Sequence, residues 1–132
     1  SDADPKNVRA LAGVATLYGR LSLAARASGD LDTCIARLRD ELRLRDQLLA
    51  PSGTSPGPRA NRAWAALRLA EALADRADAG APVAARQALR REALGLVRPL
   101  TDDDGATPVP AGSQPEFIEV RKALLTRLAG TP

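Results

Sequence analysis

The segment from Tyr18 to Leu49 constrains the fold most, because it encodes two helices that are joined by a very short turn. Apolar residues recur at steps of three and four on both sides of Gly29-Asp30, which is the spacing of one helix face. Gly29 suits the left-handed conformation that often ends a helix, and Asp30 can cap the next one. So short a connection forces the helices to lie antiparallel and in contact. We therefore predict a helical hairpin.

The composition extends this prediction to the whole chain of 132 residues, which is long enough to bury a core. Apolar residues make up 45% of the chain, yet there is only one Trp, one Tyr and one Phe. The core must therefore consist of Ala, Leu and Val. Ala and Leu favour helices, whereas the β-branched and aromatic residues that favour strands are scarce. We predict one all-α domain over residues 1–132.

Breaks in the apolar pattern divide the chain into five predicted helices. Asp4-Pro5 is a typical helix start, and Ser113 to Glu116 fits a capping box. Prolines and glycines predict breaks over Pro51–Pro58 and Thr101–Gly112. The helices form a first hairpin over about 5–49, a second over about 59–100 and a C-terminal capping helix over about 115–129. The first helix is expected to turn the following residues inward: Leu11, Val14, Leu17, Tyr18, Leu21 and Ala25.

The second hairpin resembles the first. Arg20-Leu21 matches Arg68-Leu69, and Leu38-Arg39-Asp40-Glu41 matches Leu89-Arg90-Arg91-Glu92. Self-similarity at this period is typical of stacked helical hairpins, because one hairpin cannot bury its apolar face alone. We therefore expect two antiparallel hairpins packed on each other.

The first hairpin also resembles a tetratricopeptide repeat. Tyr18-x-x-Leu21-Ser22-x-x-Ala25 is followed by Gly29-Asp30 and then by Cys34, in the order of the aromatic, small and turn positions of that family. The resemblance is good over Tyr18–Asp46 and loose over Arg62–Leu100. It implies a right-handed stack in which the first helices of the hairpins line a groove. It also implies a piece, such as the C-terminal part, of a larger bacterial protein.

The function that this resemblance implies is non-catalytic binding of a protein or peptide. The candidate partner-binding residues are Arg20, Arg26, Trp64, Arg68 and Arg76. The arginines could pair with carboxylates of the ligand, and Trp64 is either a core anchor or an exposed hot spot. The alternative is a regulatory or dimerisation domain of a signalling enzyme, such as a serine/threonine kinase, or of a transcription regulator, with a second copy as its partner.

Signatures of catalysis and of metal or cofactor binding are absent from the sequence. There is no His, and the single Cys34 excludes an internal disulfide or a multi-thiolate site. The string Gly53 to Gly57 fits G-x-S-x-G, but it has neither a preceding strand nor a His base. Asp102 to Gly105 lacks chelating residues at the other positions of a calcium loop. We predict no catalytic, cofactor-binding or metal-binding residue.

Glu41 and Glu92 occupy equivalent positions, and surface ion pairs are the preferred interpretation of both.

The charge pattern bears on partners and compartment. The formal net charge is +3, but acids are expected among the arginines on every helix, which does not favour nucleic-acid binding. No apolar run is long enough to insert into a membrane. We expect a cytoplasmic protein, with a periplasmic location left open.

Overall fold

The computed structural model describes residues 4–52, 56–105 and 114–132. Its helices are α1 (Pro5–Ala27), α2 (Leu31–Ser52), α3 (Pro56–Asp78), α4 (Val83–Val97) and α5 (Gln114–Arg127). A short 3₁₀ helix spans Asp102–Gly105, and the described residues contain no strand. The prediction of an all-α fold with five helices is confirmed.

The start of α1 and the turn between α1 and α2 lie at the residues predicted from the sequence. Asp4 accepts a hydrogen bond from the backbone N–H of Lys6 at 2.9 Å, which starts α1. Gly29 has a φ of 81°, which favours glycine, and it separates α1 from α2. Asp30 then accepts hydrogen bonds from the backbone N–H and hydroxyl of Thr33, at 3.0 and 2.7 Å, and these bonds lower the pKa of Asp30. The Gly29-Asp30 turn thus fixes the α1–α2 hairpin.

Each helix from α1 to α4 packs against the next one along the chain, and α5 lies against α3, α4 and the 3₁₀ helix. Side chains also join helices that are not consecutive: Arg26 of α1 pairs with Asp75 of α3, and Arg39 of α2 pairs with Glu92 of α4. This arrangement is consistent with two stacked hairpins, α1/α2 and α3/α4, followed by α5.

Helix α3 is the centre of the core because small residues allow its neighbours to approach it from several sides. It is buried around most of its circumference, and its polar residues are confined to the remaining part. The buried residues of α3 are Ala60, Ala63, Ala65, Ala66, Leu67, Leu69, Ala70, Ala72, Leu73, Ala74 and Ala77. Helix α5 is anchored beside it by Phe117, Leu124 and Leu128, all buried.

The predicted inward face of α1 is wrong for three of its aliphatic members. Val14, Leu17 and Leu21 are exposed by 42%, 53% and 42%, whereas the buried residues of α1 are Ala15, Ser22 and Ala25. The physical reason is the position of α1 at the edge of the stack. Its close neighbour is α2, so only one side of α1 is covered along its length.

The break between the hairpins is shorter than predicted. Helix α2 continues to Ser52 and α3 already begins at Pro56, where proline is tolerated in a first helical turn. Ser55 of the G-x-S-x-G string and the predicted cap Ser113 both lie outside the described residues.

Helices α1 and α2 approach closely at Gly19. A Cβ atom at this position would lie 3.2 Å from the Oε1 atom of Glu41, a side chain of α2 that is only 1% exposed. At Gly13, two turns earlier, nothing lies within 4 Å of such an atom. The Glu41 carboxylate therefore fills space that the missing side chain of Gly19 leaves.

This difference predicts opposite outcomes for the same substitution at two positions of one helix. Gly13→Ala should stabilise the protein by about 0.5–1 kcal/mol, because alanine is the better helix former. In Gly19→Ala the added methyl group would crowd the Glu41 carboxylate, which offsets the gain in helix propensity. We therefore expect the free energy of unfolding of Gly19→Ala to be at least about 1 kcal/mol lower than that of Gly13→Ala. Urea unfolding followed by circular dichroism measures both. Equal stabilisation by the two alanines would contradict the close contact with Glu41.

Candidate functional site

One face of α3 provides the centre of the candidate site. Trp64, Arg68, Glu71 and Asp75 follow each other at steps of three and four, which places them on a common helix face. Depressions flank this face, one towards α1 and one towards α5. The face and these two depressions are called the α1/α3/α5 surface below.

The depression towards α1 is a small cavity, called the α1–α3 cavity. Its volume is ≈ 80 Å³, and its lining residues are Ser22, Leu23, Arg26, Cys34, Leu38, Arg68, Glu71 and Ala72. Cavities that bind small-molecule ligands usually measure about 300–1,000 Å³. The α1–α3 cavity is therefore suited to one aliphatic side chain and not to a whole metabolite.

The depression towards α5 is larger and more open. It measures ≈ 340 Å³ and is lined by Glu71, Glu119, Val120, Ala123, Leu124 and Arg127. Glu71 lines both depressions, so the surface is continuous from α1 across α3 to α5. This continuity gives an elongated surface and not an enclosed pocket.

Ion pairs fix the charged side chains of this surface in place. Arg26 of α1 and Arg127 of α5 both pair with Asp75 of α3, the latter at 2.8 Å. Burial lowers the pKa of Arg26, but the hydrogen bond and charge of Asp75 outweigh it, so the pKa is raised overall. Arg127 also pairs with Asp78, which raises the pKa of Arg127. Asp75 and Asp78 of α3 thus hold Arg26 of α1 and Arg127 of α5.

Arg68 pairs with the buried carboxylate of Glu41. Its guanidinium lies 3.4 Å from Oε2 of Glu41, and the same oxygen accepts from Arg45 at 3.3 Å. Oε1 of Glu41 is buried and has no hydrogen-bond partner among the described residues. The pairing leaves Arg68 partly exposed beside the α1–α3 cavity. The cluster therefore joins α2 to α3 and fixes the position of a surface cation.

The structure brings three of the five predicted partner-binding residues to this surface. Arg26 and Arg68 line the α1–α3 cavity, and Trp64 shares the α3 face. Arg20 is exposed on α1 and forms no ion pair with any described residue. Arg76 pairs instead with Asp32 of α2 at 2.9 Å. It lines a separate depression towards α2 and α4.

Trp64 packs against the core. Its ring meets Phe117 of α5 edge to face, with centroids 5.2 Å apart and an interplanar angle of 74°. Its indole N–H is buried without an acceptor among the described residues. The side chain is half-buried, and its contact with Phe117 joins α3 to α5.

The equivalent residues Glu41 and Glu92 have different surroundings. Glu41 is buried with Arg45 and Arg68, whereas Glu92 is half-buried and pairs with Arg39 at 2.6 Å. The two carboxylates share no partner in the part of the chain that the structure describes. Within that part there is also no group of three or more His, Cys, Asp or Glu side chains that could hold a metal ion.

The sequence reasoning missed Glu71, Asp75 and Arg127. The spacing from Arg68 to Glu71 and Asp75 is a signal that could have found the two acids. No sequence pattern indicates Arg127, because its pairing with α3 depends on where α5 packs in the fold. The expectation of acids on every helix is wrong for α1, which contains no acidic residue between Pro5 and Ala27.

Comparison with protein-family models, with curated proteins and with solved structures returned no match. The tetratricopeptide resemblance therefore stays a prediction. None of the helices in the described ranges has the length and apolar character needed to cross a membrane.

The burial of Glu41 predicts a large difference between two matched variants. Glu41→Gln leaves Arg45 without its buried partner and should cost about 2 kcal/mol or more. Glu92→Gln breaks a pair that is partly exposed and should cost less than about 1 kcal/mol. Urea unfolding of both variants gives the two values. Similar losses would show that Glu41 belongs to an ordinary surface pair.

Cys34 offers a second measurement, since it is the only cysteine of the chain. It is 2% exposed and lines the α1–α3 cavity, and burial raises the pKa of its thiol. Because only the thiolate reacts, labelling by a disulfide reagent should be at least about a hundredfold slower than in urea-unfolded chain. Rapid labelling of the native protein would contradict the burial of this side chain.

Proposed function

We propose that this chain is a non-catalytic helical scaffold that binds a protein or peptide. It would be a domain of a larger bacterial protein, with its hairpins stacked in the right-handed manner of tetratricopeptide repeats. The observation that supports the proposal is the continuous α1/α3/α5 surface, because most of its residues belong to the first helix of each hairpin and to α5. An elongated surface with shallow depressions suits a chain-like ligand better than a small molecule.

The ligand would place a small aliphatic side chain in the α1–α3 cavity, against Leu38 and Ala72. A carboxylate next to that side chain would accept hydrogen bonds from Arg26 and Arg68. Each guanidinium has five donors, and the pairs with Asp75 and Glu41 use only part of them. Because these pairs already hold the arginines, the ligand would lose less free energy in ordering them. Trp64 would extend the contact towards α5.

The second candidate function is that of a regulatory or dimerisation domain in a signalling enzyme or transcription regulator. The exposed Val14, Leu17 and Leu21 of α1 support it, because such residues mark surfaces that a partner covers. Sedimentation at several protein concentrations distinguishes a self-associating domain from a monomeric scaffold.

Selection from a displayed library of random peptides tests the scaffold proposal, with Leu23→Asn and Val83→Asn as matched variants. Both side chains are 61% exposed, but only Leu23 lines the α1–α3 cavity. Peptides selected on the native domain should be enriched in Asp or Glu beside a small aliphatic residue. They should bind Leu23→Asn at least about tenfold more weakly, and Val83→Asn as tightly as the native domain.

Charge reversal provides the complementary arm of this experiment. Arg68→Glu should weaken the same peptides, whereas Arg91→Glu, an exposed position of α4, should not. Thermal unfolding of each variant checks that the fold is retained. Selected peptides that bind all four variants like the native domain would rule out the α1/α3/α5 surface as their site.

A further inference from the structure

Helix α1 carries an apolar seam on the side that the other helices leave uncovered. Its residues are separated by steps of four, three, four and three, which is the heptad spacing of helices that pair along their length. The seam consists of Ala10, Val14, Leu17, Leu21 and Ala24, all exposed. It extends over about 21 Å of helix, at about 1.5 Å per residue.

The seam is distinct from the surface described above. Leu23 and Arg26 face α3 at the α1–α3 cavity. Leu23 lies about 120–160° around the helix axis from Leu17 and Leu21, at about 100° per residue. Hence a partner on the seam would not occupy the α1–α3 cavity.

One flank of the seam is basic. Helical spacing places Lys6, Arg9 and Arg20 along the same side of α1, beside Leu17 and Leu21. None of these three cations forms an ion pair within the part of the chain that the structure describes, whereas Arg26 is paired with Asp75. Helix α1 contains no acid from Pro5 to Ala27 that could neutralise them. Among the described residues, this flank of α1 therefore carries three positive charges that no acid pairs with.

We propose that the exposed seam of α1 binds an amphipathic helix whose apolar face is flanked by acidic residues. The leucines and valine would pack into the facing helix, and the small Ala10 and Ala24 would let the two backbones approach. Acidic residues along the partner would pair with Lys6, Arg9 and Arg20 and fix its orientation. The proposal adds a second surface to the proposed scaffold function and names the class of its partner.

A second copy of this chain fits the seam less well. Pairing α1 with itself would bring two sets of unpaired cations together with no acid between them, and like charges across an interface are unfavourable. A membrane surface also fits less well. Helices that lie in the membrane interface usually present a broad apolar face with Trp or Phe, whereas this seam is narrow and has no aromatic residue.

The test uses two synthetic helical peptides that share a leucine seam at heptad spacing and differ only in their flanking residues. One peptide carries Glu along its flanks, and the other carries Lys. Binding of each to the native chain is measured by titration calorimetry at low and high salt. The Glu-flanked peptide should bind, more weakly as salt increases, and the Lys-flanked peptide should not.

Variants at exposed positions identify the surface. Leu17→Gln should weaken binding of the Glu-flanked peptide at least about tenfold, while Val83→Asn on α4 should leave it unchanged. Arg20→Glu should weaken the Glu-flanked peptide and improve binding of the Lys-flanked one, and Arg91→Glu should do neither. Leu23→Asn should leave binding of the Glu-flanked peptide unchanged, because Leu23 lines the α1–α3 cavity and not the seam. This variant therefore distinguishes binding at the seam from the peptide binding proposed at the α1–α3 cavity.

Three other results would each overturn the proposal. The first is a concentration-dependent dimer that Leu17→Gln abolishes, which would identify a second copy as the occupant. The second is binding to phosphatidylcholine vesicles that contain phosphatidylserine, with neither peptide bound. The third is binding of the Glu-flanked peptide that Leu17→Gln leaves unchanged, or no binding of that peptide at all.

Discussion

The burial of α3 on nearly all sides is the constraint on which the rest of the structure depends. Small side chains let α2, α4 and α5 approach the same helix closely, and Ala63, Ala66 and Ala70 of α3 provide them. With few aromatic residues available, the core gains its apolar contacts through close approach of helices. The order of the stack follows from this central helix.

Alanine side chains make few contacts, so charged side chains at the edges of the helices form additional links between them. Asp75 and Asp78 of α3 receive arginines from α1, α4 and α5. Each exposed pair contributes only about 0–1 kcal/mol. Their main effect is to orient the helices. Arg26 of α1 and Arg127 of α5 share the Asp75 carboxylate, which fixes both edges of the α1/α3/α5 surface relative to α3. The same charges thereby define the candidate site.

The helices could be predicted from local sequence preferences. Which face of each helix is buried depends on how the helices pack on one another. The Gly29-Asp30 turn and the Asp4-Pro5 start follow from backbone preferences of a few adjacent residues, and both were predicted correctly. The apolar periodicity of α1 was equally clear, yet its assignment to the core was wrong for Val14, Leu17 and Leu21. Periodicity shows that a helix has an apolar face, but only the position of α1 at the edge determines that Leu17 remains exposed. The pairs around Asp75 were likewise invisible, because they join residues far apart in the chain.

The edge position of α1 also separates its two surfaces physically. Toward α3, Arg26 of α1 pairs with Asp75 and lines the α1–α3 cavity. Toward α2, Gly19 of α1 leaves room for the Glu41 carboxylate. On its other side, α1 presents uncharged side chains and cations that form no ion pair with any described residue. A helix covering that side would remove apolar surface from water without displacing any contact of the cavity. The two surfaces can therefore be occupied together, with α1 as their common wall.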